Sequence, residues 1–181
     1  IINPISLKIL NTLYYHLTSV NDRKKVAVDF NTFFFPLDQI LHWNRLYGKQ
    51  GFLQYQFVLP LEHSAVGIKK ILNHISDSGQ GSPLAVLKLF GPENDNYLSF
   101  PMEGFTLALD FKNQPSLFPL LDKLDTIVNM YNGRIYLAKD SRVKEPVFKQ
   151  GYKHIDKFLQ LRQQYKLANK FKSNQSIRLG L

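Results

Sequence analysis

The chain has 181 residues, 44% apolar and 13% aromatic, which is long and apolar enough to bury a core without covalent staples and excludes a disordered segment. The absence of cysteine excludes disulfides, thiolate metal sites and a cysteine nucleophile. The net charge of +9 is unevenly placed: residues 1–132 carry 11 Lys/Arg and 11 Asp/Glu, whereas residues 133–181 carry 12 and 3, so all the excess lies in the last quarter.

In chain order, Ile5–Leu17 predicts a helix, with Leu7, Leu10, Tyr14 and Leu17 at helical spacing. A charged turn at 21–25 leads into Val26–Phe35, whose β-branched and aromatic content predicts a strand closed by Pro36. Asp38 is placed to cap a helix through Tyr47, with Gly48 as its stop. Phe52–Leu59 alternates as a strand, with Leu53, Tyr55 and Phe57 on one face and Gln54, Gln56 and Val58 on the other. Glu62–Asp77 predicts an amphipathic helix with Val66, Ile68, Ile71, Leu72 and Ile75 inward.

After a turn at 79–83, Leu84–Phe90 is apolar except for Lys88, and 91–96 has loop chemistry. Tyr97–Phe100 and Phe105–Phe111 predict strands, Ser116–Tyr131 an amphipathic helix ended by Asn132-Gly133, and Ile135–Ala138 a short strand. Basic helices follow beyond Glu145, the clearest over Ile155–Lys170, and Ser173–Leu181 reads as irregular or as a short closing helix. Two-faced strands joined mostly by helices predict an α+β domain: an antiparallel or mixed sheet with helices packed on one side. The change of composition near Asn132 is the candidate domain boundary, and the chain, which begins at Ile1 rather than Met, has the look of a piece of something longer. No apolar run approaches the ~18 residues that a membrane-spanning helix needs.

Polar residues within apolar strands carry the chemical information, because burying them without a partner costs free energy. Gln54 and Gln56 share a strand face and suit a pocket for a hydroxylated ligand as well as they suit a wet surface. Lys88 either faces water or points into a site. Lys139 and Asp140 directly follow a predicted strand, a common place for site residues, although a surface pair with Arg142 accounts for Asp140 equally well. The five histidines have no metal-ligand spacing, and there is no GxGxxG, Walker or GxSxG string. The basic end reads first as a solvated helix and otherwise suits an anionic partner (nucleic acid, acidic lipid or a phosphorylated ligand).

Longer strings go further. They are Phe33-Phe34-Phe35-Pro36-Leu37-Asp38, Trp43-Asn44-Arg45-Leu46-Tyr47-Gly48, Gly51-Phe52-Leu53-Gln54-Tyr55-Gln56-Phe57-Val58, Leu87-Lys88-Leu89-Phe90-Gly91-Pro92, Leu98-Ser99-Phe100-Pro101 and Gly104-Phe105. The last is Gly133-Arg134-Ile135-Tyr136-Leu137-Ala138-Lys139-Asp140-Ser141-Arg142. In this order and spacing they resemble the C-terminal half of FAD-linked oxidases of the vanillyl-alcohol oxidase type, with the decaprenylphosphoryl-ribose oxidase branch nearest and the sugar-lactone oxidases more distant.

The resemblance implies a two-part enzyme. Residues 1–132 would be most of a substrate (cap) domain on an antiparallel sheet. Residues 133–181 would be a returning, largely helical segment that completes the FAD-binding domain. It implies FAD as cofactor and oxidation of an alcohol by hydride transfer to the flavin N5, with the fragment alone inactive. By the same resemblance Lys139 is the catalytic lysine beside both substrate and flavin, and Tyr136 contacts the flavin. Gln56, Gln54, Lys88, Phe34 and Thr106 line the substrate pocket, and no metal is involved. The chain departs from that branch at Phe34 (Tyr there), Phe35 (His), Thr106 (Asn) and Ala108 (Cys in some), which removes two pocket hydrogen bonds and leaves the sugar-like substrate open.

A polyprenyl-phosphosugar substrate, a reductase partner completing an epimerisation, a cytoplasmic setting and at most peripheral contact with the inner membrane are further expectations from the resemblance. The rival readings are an aldonolactone oxidase using oxygen and a basic module binding nucleic acid or an anionic membrane; the oxidase reading expects no nucleic acid.

Overall fold

The computed structural model describes residues 4–19, 25, 27–35, 41–167 and 170–181. It divides into two compact units, residues 1–52 and 53–181.

In the first unit, α1 spans Pro4–Ser19, as the spacing predicts, with Leu10, Tyr14 and Leu17 exposed. The side chain of Leu7 lies outside the described residues. The strand predicted over Val26–Phe35 is not formed. Asp29 instead accepts a hydrogen bond from Thr32 N at 3.0 Å and caps a short helix, α2, at Phe30–Phe34. An aspartate in the N-cap position outweighs the β-preference of the phenylalanines, since a capped turn satisfies backbone donors that an unpaired strand leaves open. Val26, Pro36 and Asp38, and with Asp38 its proposed cap, lie outside the described residues. Of the helix predicted through Tyr47, a 3-10 turn at Trp43–Tyr47 is observed, and Gly48 ends it with φ 77°. Tyr47 is buried against Phe52, their ring centroids 4.7 Å apart.

The second unit is built on four strands: β1 (Phe52–Pro60), β2 (Ala85–Phe90), β3 (Gly104–Lys112) and β4 (Arg134–Ile135). They form an antiparallel sheet in the order β2-β3-β1-β4. With α3 (Leu61–Asp77) between β1 and β2, and α4 (Leu117–Met130) between β3 and β4, the order is that of a split β-α-β-β-α-β unit. Both helices pack on the same face, where Tyr55, Phe57 and Leu59 of β1 and Leu107, Leu109 and Phe111 of β3 meet Ile71, Ile75, Leu117, Leu121, Leu124 and Val128. The alternation predicted for β1 is the alternation observed. The α+β class and the antiparallel sheet with helices on one side are therefore as expected.

Within α3, the Tyr97–Phe100 segment and β4, three sequence expectations need correction. Val66 and Leu72 are exposed, not inward, because the buried stripe of α3 runs through Ser64, Gly67, Ile71 and Ile75. Gly67 lies on that stripe: a Cβ there would fall 2.4 Å from the Leu59 side chain and 3.2 Å from the Tyr131 ring, so a larger residue would have to push both aside for the helix to keep its approach to β1. Tyr97–Phe100 is turn, not strand; Phe100 packs with Val58 and Met102 instead. The strand predicted at Ile135–Ala138 ends at Ile135, and Leu137–Lys139 forms a 3-10 turn.

Beyond β4 come α5 (Glu145–Gly151), α6 (Ile155–Gln164) and α7 (Asn174–Arg178). The helix predicted to Lys170 stops at Gln164, and Lys166 adopts a left-handed φ of 54°. Val143, Phe148, Tyr152, Ile155 and Leu179 join the same core as β1 and α4, so packing is continuous across the change of charge at residue 132. Among the described residues no helix is long and apolar enough to cross a membrane.

Candidate functional site

The face of the sheet away from α3 and α4 carries the polar residues singled out by sequence. Alternation sets Gln54, Gln56 and Val58 of β1 beside Thr106, Ala108 and Asp110 of β3. The β2–β3 register pairs Lys88 with Thr106 and Val86 with Ala108. Side-chain hydrogen bonds tie the row together: Gln54 Nε2 donates to Asp110 Oδ1 at 3.0 Å, and Gln56 Nε2 donates to Thr106 Oγ1 at 3.0 Å. The Thr106 hydroxyl in turn donates to Phe57 O at 2.8 Å. Gln56, Thr106 and Asp110 are buried, whereas Lys88, on the outermost strand, is exposed.

Where β1 meets the segment after β4 lies a narrow crevice of about 10 Å³, room for about one water, lined by Gln54, Gln56, Tyr136, Lys139, Asp140 and Arg142 together with Leu53, Tyr55 and Leu121 of the helix side. Four residues that sequence singled out thus share one crevice. The sheet brings them together: Tyr136 N donates to Gln56 O at 2.8 Å, extending the β1–β4 pairing past Ile135 and delivering the 3-10 turn with Lys139 alongside β1. The Tyr136 ring stacks on Phe100, centroids 4.4 Å apart. Thr106 stands behind Gln56 rather than in the crevice wall, Lys88 is in register with Thr106 at the sheet edge, and Phe34 belongs to the first unit, at the end of α2.

The segment carrying Lys139 is held from several directions. The buried Asp140 carboxylate accepts from Arg142 N at 2.9 Å, Val143 N at 2.7 Å and Arg178 Nη2 at 2.8 Å. Gln175 Nε2 donates to Leu137 O at 2.6 Å, so α7 clamps both ends of the turn. Arg142 donates through both guanidinium nitrogens to Asp125 Oδ2, and Tyr55 donates to Asp125 Oδ1 at 3.0 Å. Burial pushes the Asp125 carboxyl up to about 6 despite the Arg142 cation beside it. Burial, with Asp125 adjacent, also raises the Tyr55 hydroxyl well above its ordinary value.

Behind the crevice Arg134 is buried, donates to Ser99 O at 2.5 Å and to Glu93 at 3.1 Å, and lies over the Tyr152 ring. Lys153 also pairs with Glu93, and its hydrogen bond is the main reason that the Glu93 carboxyl titrates below its usual value. Of the two readings of Asp140, a site residue or a surface pair with Arg142, the surface pair is not what forms: its carboxylate is a buried anchor bound to Arg178 and to backbone N–H groups. Asp110 and Asp125 were not singled out at all. The alternation of Phe105–Phe111 was the signal for Asp110, since it sets that residue on the Thr106 row. Asp125 lies four residues after Leu121, on the apolar face of its helix.

A separate apolar groove, lined by Leu61, Ile68, Leu72, Leu87 and Phe105, opens on the helix side and contains none of the candidate residues. Among the described residues no cluster of three or more acidic or histidine side chains is arranged to hold a metal.

No protein-family model matches the chain. Among curated proteins it is 38% identical, over 179 residues and 99% of its length, to decaprenylphosphoryl-beta-D-ribose oxidase of Mycolicibacterium smegmatis. It is 34% identical over 115 residues, 63% of its length, to the uncharacterized protein in mprA 5'region of Streptomyces coelicolor. The chain spans 38% and 31% of these two relatives, respectively. The resemblance carried by the strings from Phe33 to Arg142 is therefore a similarity of essentially this whole sequence to part of decaprenylphosphoryl-beta-D-ribose oxidase.

Proposed function

We propose that this chain is the substrate-side part of a flavin-dependent oxidase that oxidises a hydroxyl of a sugar-like alcohol, with a polyprenyl-phosphosugar as the first candidate substrate. The observation that carries this reading is the convergence of Gln54, Gln56, Tyr136 and Lys139 on one crevice. All four come from strings that resemble the oxidases, and the relative that matches 99% of the chain is named for a polyprenyl-phosphosugar.

The lining offers groups that suit a flavin edge and an oxygen-rich ligand, the Tyr136 ring, the Lys139 ammonium and two amides, beside the apolar Leu53, Leu121 and Ile135. When bound, FAD supplies the hydride acceptor of the reaction. Lys139 holds the substrate oxygen and stabilises negative charge developing on it, the role that a fixed cation performs best away from bulk water. The clamp by Gln175, Arg178 and Asp140 fixes the turn, so the ammonium is positioned before substrate arrives. Tyr136, stacked on Phe100, offers a rigid ring against the flavin. In this reading residues 1–132 are most of the cap domain and residues 133–181 return to the flavin-binding domain, so the crevice lies where the two meet. A reductase partner and peripheral membrane contact belong to the same proposal.

The test uses the full-length protein that contains this chain. It is purified, examined for a flavin spectrum, and mixed without oxygen with a polyprenylphosphoryl ribose, with aldonolactones and with simple polyols. Bleaching of the flavin band by the first is the expected result. Bleaching by an aldonolactone alone replaces the substrate class, and a colourless protein unable to take up FAD overturns the oxidase reading.

A further inference from the structure

We infer that Thr106 and Asp110 lock the side-chain amides of Gln54 and Gln56 so that each commits its NH2 toward β3 and leaves its carbonyl oxygen for a ligand; the site therefore favours a ligand by the hydroxyl hydrogens it donates. This deepens the oxidase reading and rests on it for the identity of the ligand.

The argument is one of counting protons. A threonine hydroxyl has one hydrogen and two lone pairs. Thr106 directs its hydrogen at the Phe57 carbonyl, 2.8 Å away, and a carbonyl only accepts. Whatever else touches Thr106 Oγ1 must donate. Gln56 is the group that does, at 3.0 Å, so it turns its NH2 to Thr106 and its Oε1 the other way. Reversing the amide would set two carbonyl oxygens against one hydroxyl hydrogen in a buried site and leave one of them unpaired, which is costly.

Gln54 is fixed by a different partner with the same consequence. A carboxylate accepts and does not donate, so Gln54 turns its NH2 to Asp110 Oδ1, 3.0 Å away. Among the described residues no group donates to either Oε1, and neither oxygen is among the sealed, unpartnered polar atoms, so both are open to a ligand. Residues i and i+2 of a strand stand roughly 7 Å apart at their roots. A sugar ring with hydroxyls on different carbons spans that distance; a ligand offering only carbonyl, ether or phosphate oxygens gains nothing from the two Oε1 acceptors. Lys139, a donor with no acceptor capacity, takes the ligand's remaining oxygen.

The experiment exchanges hydroxyl for fluorine, which keeps size and polarity but removes the donated hydrogen. The full-length flavoprotein, with its flavin reduced beforehand so that nothing turns over, is titrated calorimetrically with farnesylphosphoryl ribose and with analogues in which each ring hydroxyl in turn is replaced by fluorine. The expected result is a loss of about tenfold in affinity for at least one analogue, the size of one hydrogen bond to a neutral acceptor. That penalty falls to within about threefold in Thr106→Val or Asp110→Asn, where the amide is free to turn. Thr106→Ser, which keeps the hydroxyl, retains the full penalty and separates orientation from misfolding.

The inference is overturned if fluorine is tolerated at every position, or if the penalty is unchanged in both Thr106→Val and Asp110→Asn. Amide orientation is also read without ligand, from nuclear Overhauser contacts between the Gln56 Nε2 hydrogens and the Thr106 methyl group. If no ribose compound binds, the substrate reading falls; the Overhauser contact then upholds the locked amide and its absence overturns it.

Discussion

Replacing Arg142 by methionine tests the buried network beneath the crevice. The Asp125 side chain is 2% exposed and that of Arg142 11%. Methionine keeps much of the apolar stem but removes the cation, leaving a buried carboxylate with only the Tyr55 hydroxyl. Breaking one side of a buried pair costs about 3–5 kcal/mol at neutral pH. The pH dependence identifies the cause. Asp125 titrates near 6 in the folded chain against an ordinary value of 3.8, so the folded state binds its proton more readily than the unfolded one. The stability that this provides is complete below 3.8 and is lost as pH rises through about 6, about 3 kcal/mol over that window. Without Arg142 the carboxyl is pushed higher still, so at pH 5 it is protonated and most of the damage disappears. Thermal melts of the full-length protein at pH 8 and pH 5 read this directly. Arg142→Met melts roughly 10 °C lower at pH 8 and loses less than half as much at pH 5. Adding Asp125→Asn, which removes the stranded charge, recovers stability at pH 8. An equal loss at both pH values, or a double variant no better than the single one, refutes the idea that an uncompensated charge is responsible.

Three other perturbations test separate parts of the structure. On the proposed oxidase reading, Lys139→Met lowers kcat/KM of the full-length protein by about 10²–10³-fold in steady-state assays while leaving its melting temperature within a few degrees, because it removes the charge that the proposal sets at the reacting oxygen and no core contact. Arg178→Leu removes a partner of the buried Asp140 carboxylate, and hydrogen exchange speeds up at the Arg142 and Val143 amides that Asp140 caps, with little change in the amides of β3. Gly104→Ala lowers the melting temperature by several degrees: φ there is 154°, and a Cβ would fall 1.9 Å from the Leu59 carbonyl oxygen, so the β1–β3 contact has to open.

What was legible in the sequence was whatever local periodicity decides. The alternation of Phe52–Leu59 set Gln54 and Gln56 on the right face, and the 3.6-residue repeat found α3 and α4. What failed depended on partners far along the chain. Phe33, Phe34 and Phe35 have strand propensity, but a strand needs a neighbour, and Asp29 offers the segment a capped turn instead. Val66 and Leu72 are as apolar as Ile71; which of them is buried is settled by how closely Gly67 lets α3 approach Leu59. The same holds within the site. Lys139 is legible from its place directly after a predicted strand and Tyr136 from the string that resembles the oxidases, whereas Asp125 and Arg178 act through contacts 17 and 38 residues away and leave no local trace.

The pairing of β1 with β4 also has a kinetic side. Tyr136 N and Gln56 O are 80 residues apart along the chain, whereas the β2–β3 hairpin closes over as few as 14, between Phe90 and Gly104. Ordering that long loop before its contacts are made is entropically uphill, so the hairpin and its helices form early and the wall carrying Lys139 closes late. During synthesis the two glutamines wait on a strand whose outer edge is bare until residues 134–136 have left the ribosome. Any chain that stops short of them leaves β1 open to strand addition by another molecule. The two residues of β4, too short to look important, are what separates a closed wall from an aggregation edge.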